Sequence, residues 1–349
     1  MNPLSPDSRI LFIRASAVGD VLNTLPAVEA IRAAYPKAFI AFLVDERSVD
    51  MVKGHPAIDK IHFFPRKRWL SMVKKLSQWG SLSKEVKSFA SEIRRERYDV
   101  SVDLQRTLKG GVLGLLAGAK LRVGLAPPFT MEGNQFFNHL KVKPPPEAIH
   151  FAEHFLELVR PLGAKMDAPK FRLPESPESV RAVENFLKEK NLSRYAVLHP
   201  GTSAYGKLKR WPPERFAELA KRLGKELDLK CVIAWGPGEG PLAEKIVGES
   251  GGQAVLSFET RSLLELAELI HRAKLFVGCD SGPMHLSGVV GTPCVALFGP
   301  KDPAIYGVYR HPRYRVVQPP GGMGPTEGIK VESVFDAVAS VLKEAGQEP

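Results

Sequence analysis

The chain has 349 residues, 44% of them apolar and 25% charged; at roughly 150 residues per domain this predicts about two domains, each able to bury a core. Its longest apolar stretch, Gly110 to Ala119, is far short of the roughly 20 residues of a membrane span. The start, Met1-Asn-Pro-Leu-Ser-Pro-Asp-Ser-Arg9, lacks the basic, apolar, small-residue order of a signal peptide, so a cytoplasmic protein is expected. Cys231, Cys279 and Cys294 are odd in number and have no CxxC spacing, which argues against a disulfide framework and a thiolate zinc site.

Short runs rich in Val, Ile, Leu and Phe alternate with helical patterns, the signature of βαβ units building a parallel sheet. The first series of predicted strands is Ile10 to Arg14, Phe39 to Val44, Lys60 to Phe64, Asp99 to Leu104 and Leu121 to Gly124. Ligands of open α/β sheets collect at the carboxyl ends of strands, so the loops there carry the candidates. After the first strand, Gly19 and Asp20 open a helix with an expected apolar face of Leu22, Leu25, Val28 and Ile31. Asp20 is either a carboxylate aimed at a ligand or a helix cap. After the third strand the charge becomes uneven. Arg66 to Arg97 holds ten basic and three acidic residues, +7 of the net +11, interleaved with Trp69, Leu70, Met72, Val73, Leu76 and Trp79. That is the composition of an amphipathic segment drawn to anionic head groups, with a solvated helix face as the alternative. No helix-turn-helix, zinc-finger or RNP-type pattern accompanies the charge, so nucleic acid is not the expected partner.

Lys141-Val-Lys-Pro-Pro-Pro146, a helix over about Glu147 to Leu162 and a linker from Ala168 to Ser179 separate the two series. Within that helix His150-Phe-Ala-Glu-His154 fits HxxEH, but spacing assigns no third zinc ligand. The second series is Tyr195 to His199, Lys230 to Trp235, Ala254 to Phe258, Leu275 to Cys279 and Cys294 to Phe298, with a last helix over about Val331 to Glu344. Gly201 to Lys207 has the spacing of a P-loop but Leu208 follows where Ser or Thr would hold magnesium. What survives is a phosphate-suited loop with Thr202, Ser203, Lys207, Lys209 and Arg210. Gly236-Pro-Gly-Glu-Gly240 lacks the spacing of a dinucleotide fingerprint, so no nicotinamide cofactor is expected. Asp280-Ser281-Gly282 leads into a helix at about Pro283, a favoured first position. Its N-terminal amides would meet an anion, with His285 in the first turn.

Together, Ile13-Arg-Ala-Ser-Ala-Val-Gly-Asp20, Val102-Asp-Leu-Gln-Arg-Thr-Leu-Lys109, His199-Pro-Gly-Thr202, Lys209-Arg-Trp-Pro212, and Asp280-Ser-Gly-Pro-Met-His285 through Phe298-Gly-Pro-Lys-Asp-Pro303 resemble the ADP-heptose:lipopolysaccharide heptosyltransferases of glycosyltransferase family nine. The basic Arg66-Lys-Arg-Trp69 insertion is similar to the heptosyltransferase I branch. The resemblance implies an α/β GT-B fold of two Rossmann-like doubly wound domains facing a cleft: an acceptor domain over 1–168, a donor domain over 180–330, and a terminal helix in 331–349 that could dock on either. It implies an inverting transfer of heptose from ADP-heptose to Kdo-bearing lipid A, with no metal and no cofactor, at the cytoplasmic face of the inner membrane. Asp20 matches the family's proposed base. The donor side would use Thr202, Ser203, Lys209, Glu239, Asp280, Ser281, Gly282 and His285, with Trp235 and Gly236 near the nucleoside. The acceptor side would use Arg66, Lys67, Arg68, Lys74, Lys75, Gln105 and Lys109. The rival readings are a related glycosyltransferase acting on another acceptor or donor, a sugar-nucleotide epimerase of similar fold and, through His150 and His154, a zinc hydrolase.

Overall fold

The computed structural model describes residues 4–165, 171–202, 206–260, 262–344 and 346. The chain divides into two compact units between Glu175 and Ser176. In unit 1 the order is β1 (Arg9–Ile13), α1 (Val18–Ala34), β2 (Phe39–Asp45), β3 (Lys60–Phe64), α2 (Arg66–Val73), α3 (Trp79–Arg95), β4 (Val100–Asp103), α4 (Leu108–Ala117), β5 (Leu121–Leu125), β6 (Leu140–Val142) and α5 (Phe151–Val159). The six strands pair in parallel in the order β3-β2-β1-β4-β5-β6. The central strand sets Ile10 opposite both Ile40 and Val100. A strand covered by helices on both faces has no solvent side, which is why β1 and β2 read as continuous apolar runs.

Helix α1 departs from the expected one-faced pattern, because Asn23, Thr24 and Glu29 are buried along with its Leu and Val residues. Helix α5 packs against it from the side, and a helix enclosed on several sides needs no polar stripe. The expected helix over Glu147 to Leu162 is shorter than predicted. His150 caps it, Nδ1 accepting the Ala152 N–H at 3.1 Å, and a 3₁₀ turn Arg160–Leu162 ends it. It belongs to unit 1. Strand β6 corrects another expectation: Lys141-Val142 continues the sheet opposite Gly124-Leu125. Three residues at a sheet edge are too short to show a period in the sequence.

Unit 2 runs α6 (Pro177–Glu189), β7 (Tyr195–His199), α7 (Pro213–Glu226), β8 (Lys230–Ile233), α8 (Gly240–Glu249), β9 (Ala254–Leu256), α9 (Leu263–His271), β10 (Leu275–Cys279), α10 (Gly282–Val289), β11 (Cys294–Leu297), α11 (Pro303–Tyr306), β12 (Tyr314–Val317) and α12 (Val331–Glu344). Its sheet order is β12-β11-β10-β7-β8-β9. The expected linker ends early, since Ser176 already caps α6, its Oγ accepting the Ser179 N–H at 3.2 Å. The terminal helix α12 packs on α7, β11 and β12, burying Val334, Val338 and Val341 in the unit 2 core. Each such side chain contributes about 1.5–3 kcal/mol, which fixes the helix to unit 2. All three cysteines are free and buried. Desolvation raises their thiols, those of Cys279 and Cys294 to about 12.

Candidate functional site

In unit 1 the chain leaves β1 through Arg14 and re-enters helix at Val18, placing Asp20 at the third helical position. Asp20 Oδ2 accepts the Ala17 N–H at 3.2 Å, so it does cap the helix. It does more than that. The same oxygen pairs with the Nη2 of Arg14, whose side chain is only 5% exposed while that of Asp20 is 35% exposed. Arg14 Nη1 donates to the Leu104 carbonyl at 2.5 Å, and its Cζ lies 5.7 and 5.6 Å from the Phe151 and Phe155 ring centres.

Of the expected acceptor residues, Gln105 and Lys109 reach this strand end. Gln105 is buried, and its Oε1 accepts the Ala15 N–H at 3.1 Å, joining the loops after β1 and β4. Lys109 Nζ lies 3.4 Å from Ser16 Oγ. Burial lowers the Lys109 ammonium below the usual lysine range; Arg66, Arg14 and Arg47 push the same way and Asp45 opposes them. Arg66 therefore shares the field of Lys109, and Arg47 is a basic neighbour that the sequence did not single out. Gly110 is required here, because a β-carbon would sit 2.4 Å from Asp103 Oδ1.

The rest of the basic window faces elsewhere. Arg68 pairs with Glu85 at 2.6 Å, Glu85 also accepts the Trp69 indole N–H at 3.2 Å, and Lys67, Lys74 and Lys75 are exposed. Trp69 corrects the expectation of an interfacial indole: it stands edge-on to Phe64 and Phe89 and packs on the unit 1 core. The side chains left outside are Leu70, Val73, Leu76 and Trp79, with Leu76 80% exposed. The three acids of the window all have partners, Glu85 as above, Glu92 near His62 and Glu96 on Arg9 and Lys60. Most of its cations remain in solvent.

In unit 2 the ends of β7 and β10 bring the donor candidates together. Lys209 Nζ pairs with Asp280 Oδ2, with the lysine side chain 25% and the aspartate side chain 9% exposed. Ser281 is the N-cap of α10, yet its side chain caps no amide and its Oγ is buried without a hydrogen-bond partner. Gly282 and Pro283 open the helix and His285 is half-buried in its first turn. Open amides and a positive dipole end suit an anion. Thr202 Oγ1 donates to the Gly206 carbonyl at 3.2 Å and accepts from Arg210 Nε at 3.0 Å. Ser203 lies outside the described residues, as does the Lys207 side chain.

Glu239 precedes α8; its Oε2 accepts the Gly236 N–H at 3.0 Å and lies 3.9 Å from His199 Nε2. A β-carbon at Gly201 would stand 2.1 Å from Glu239 Oε1, so this carboxylate needs the glycine. Desolvation lowers the imidazole of His199 despite the opposing charge of Glu239. Trp235 is half-buried, its indole N–H donating to the Ser257 carbonyl at 3.0 Å. His150 and His154 act locally: the first caps α5, and the second bonds the Ala148 carbonyl at 2.9 Å beside Phe129. The sequence reading does not single out Arg14 or Arg47; for Arg14 the available signal is an arginine directly after an apolar strand, and Arg47, two residues past β2, carries none.

Residues 86–321 match the family model Glycosyltransferase family 9 (heptosyltransferase), which spans parts of both units. Lipopolysaccharide heptosyltransferase 1 of Escherichia coli K12 is 26% identical over 310 residues, covering 86% of this chain and 91% of that protein. The family 9 glycosyl transferase of Veillonella parvula superposes with a TM-score of 0.80 at 23% identity, covering 99% of this chain and 100% of that one. E. coli heptosyltransferase WaaC, solved with ADP, superposes with a TM-score of 0.78 at 23% identity, covering 95% of this chain and 99% of its own. Two parallel six-stranded sheets flanked by helices, matched over nearly the full chain, are the GT-B fold. The chain belongs to glycosyltransferase family 9, the heptosyltransferase family, and is a glycosyltransferase.

Proposed function

We propose that this enzyme moves heptose from ADP-heptose to the Kdo-bearing lipid A core of lipopolysaccharide, by direct displacement and with inversion. The observation that carries the reading is the anion-ready end of β10: Lys209 held by Asp280, beside the uncapped first turn of α10. As the acceptor oxygen attacks the anomeric carbon, the bond to the ADP oxygen breaks and ADP leaves with the bonding pair. Its growing charge is met by Lys209, His285 and the α10 amides, a role for protein dipoles and cations that needs no metal. Asp20 takes the proton of the attacking hydroxyl, which requires an approach to about 3 Å with substrate bound.

On this reading 1–168 binds the acceptor and 180–330 the donor. Thr202, Ser203, Ser281 and Gly282 complete the phosphate side and Glu239 the nucleoside side; Arg66, Lys67, Arg68, Lys74, Lys75, Gln105 and Lys109 serve the acceptor. No helix among the described residues is long and apolar enough to cross a membrane. The exposed cations of α2 and α3, with Leu70, Val73, Leu76 and Trp79 between them, support peripheral contact with an anionic inner-membrane surface at its cytoplasmic face.

The test is to incubate the enzyme with ADP-heptose and a panel of truncated lipopolysaccharide acceptors and follow ADP release. Release that depends on a Kdo-lipid A acceptor and survives chelator is expected. Turnover only with a different acceptor or donor, or only with added metal, would overturn the assignment.

A further inference from the structure

We infer that Arg14 is a positioning residue for the transfer, holding the Asp20 carboxylate in one orientation from beneath the sheet end. This rests on the reading of Asp20 as the base. A buried guanidinium is costly unless its charge is paired and its donors are used. Here Nη1 donates to the Leu104 carbonyl at 2.5 Å, Nη2 meets Asp20, Nε is buried without a hydrogen-bond partner, and Cζ lies over the Phe151 and Phe155 rings of α5. Asp103, the other carboxylate in the field of Arg14, is already engaged by the Asn134 amide at 2.5 Å and the Gln105 N–H at 2.8 Å. Asp20 is therefore the carboxylate that Arg14 pairs with directly.

The arrangement is more than a cap. An N–H from Ala17 and a nitrogen of a rigid planar fork, both from the connection between β1 and α1, meet the same oxygen of Asp20. That pair of contacts restricts both the rotation and the lateral travel of the carboxylate, and a base acts only where its oxygen can reach the hydroxyl it deprotonates. A lysine would keep the charge and lose the fork, so it should hold the carboxylate less well.

The test measures kcat, the KM of each substrate and ADP affinity for Arg14→Met and Arg14→Lys, each alone and combined with Asp20→Asn, normalised to ADP-binding-competent enzyme. Arg14→Met should lower kcat about 10- to 100-fold while donor KM and ADP affinity stay within about 2-fold, and Arg14→Lys should recover part of the loss. In the Asp20→Asn background neither substitution should lower kcat further, since the two residues act as one unit. Equal losses in both backgrounds, or a loss confined to KM, would mean a structural role and overturn the inference. If Arg14→Met does not fold, Arg14→Lys carries the same test, with a loss of about 3- to 10-fold that vanishes beside Asp20→Asn. Full turnover of Asp20→Asn alone would remove the base, and this inference with it; full turnover of both Arg14 variants beside an impaired Asp20→Asn would remove this inference only.

Discussion

The two sheets have the same strand order, each unit's first strand lying between its second and fourth, yet their strand ends present opposite charges. In unit 1 the buried partner of the ion pair is the cation, Arg14 at 5% exposure, and the accessible one is Asp20 at 35%. In unit 2 the buried partner is the anion, Asp280 at 9%, and the more accessible one is Lys209 at 25%. One topology thus offers a carboxylate at one sheet and an ammonium at the other. The strand order fixes where the loops gather; which member of each pair is buried fixes the chemistry on offer. A carboxylate suits proton removal from a hydroxyl, and an ammonium beside helix amides suits a departing diphosphate.

The comparison breaks most visibly at Asp20. Asp20→Asn should reduce turnover by about 10²-fold or more, the scale of a lost general base, with ADP binding intact; wild-type turnover under conditions where chemistry limits would end the assignment. Next in size is Lys209→Met. Losing a charge-assisted contact to phosphate, about 1.5–3 kcal/mol, should raise donor KM by about 10-fold or more, and chelator should leave the wild-type rate unchanged. A donor KM unmoved by the substitution would place the diphosphate elsewhere. Replacing Arg66, Lys67 and Arg68 with Ser should raise acceptor KM and weaken binding to anionic vesicles by less than the full charge count suggests, because Arg68 is already paired with Glu85. The effect should fade with salt, exposed charges being screened beyond about 8 Å at physiological ionic strength. An acceptor KM insensitive to the change at low salt would reduce the window to a solvated face.

The smallest expected effect concerns stability. Burial lowers the imidazoles of His55, His62 and His154 in unit 1 and His199 and His311 in unit 2. Below the unfolded value of about 6.5, the unfolded chain takes up protons that the folded chain resists. Stability is therefore complete above that pH and is lost as the pH falls through it toward the lowered folded values. The melting temperature should drop between pH 7 and pH 5, and a flat profile would show that these rings are protonated in the fold.

Much of this was legible in the sequence. Lys60 to Phe64, Tyr195 to His199 and Leu275 to Cys279 match strands to the residue: the last two are central and wholly buried, so a change of composition marks both ends, and the first, an edge strand, is bounded by Asp59 and Pro65. The edge strands β6 and β12 were not found, because Leu140-Lys-Val142 and Tyr314-Arg-Val-Val317 are short and partly exposed. At the sites, the motif around Asp20 and the run from Asp280 to His285 were found from glycine, hydroxyl and charge spacing. Their ion-pair partners are less evenly legible: Lys209 is a candidate by composition, but its pairing with Asp280 spans 71 residues, and Arg14 follows an apolar strand with nothing local to tie it to Asp20. Trp69 was misread for a related reason. Composition places an indole among lysines, but only packing shows that it turns toward Phe64 and Phe89.

Calorimetric titration of ADP into wild type, Asp20→Asn and Lys209→Met separates a base in unit 1 from a diphosphate contact in unit 2. Wild-type affinity for Asp20→Asn and about 10-fold weaker binding for Lys209→Met are expected; weakened binding in Asp20→Asn with unchanged binding in Lys209→Met would reverse the two roles.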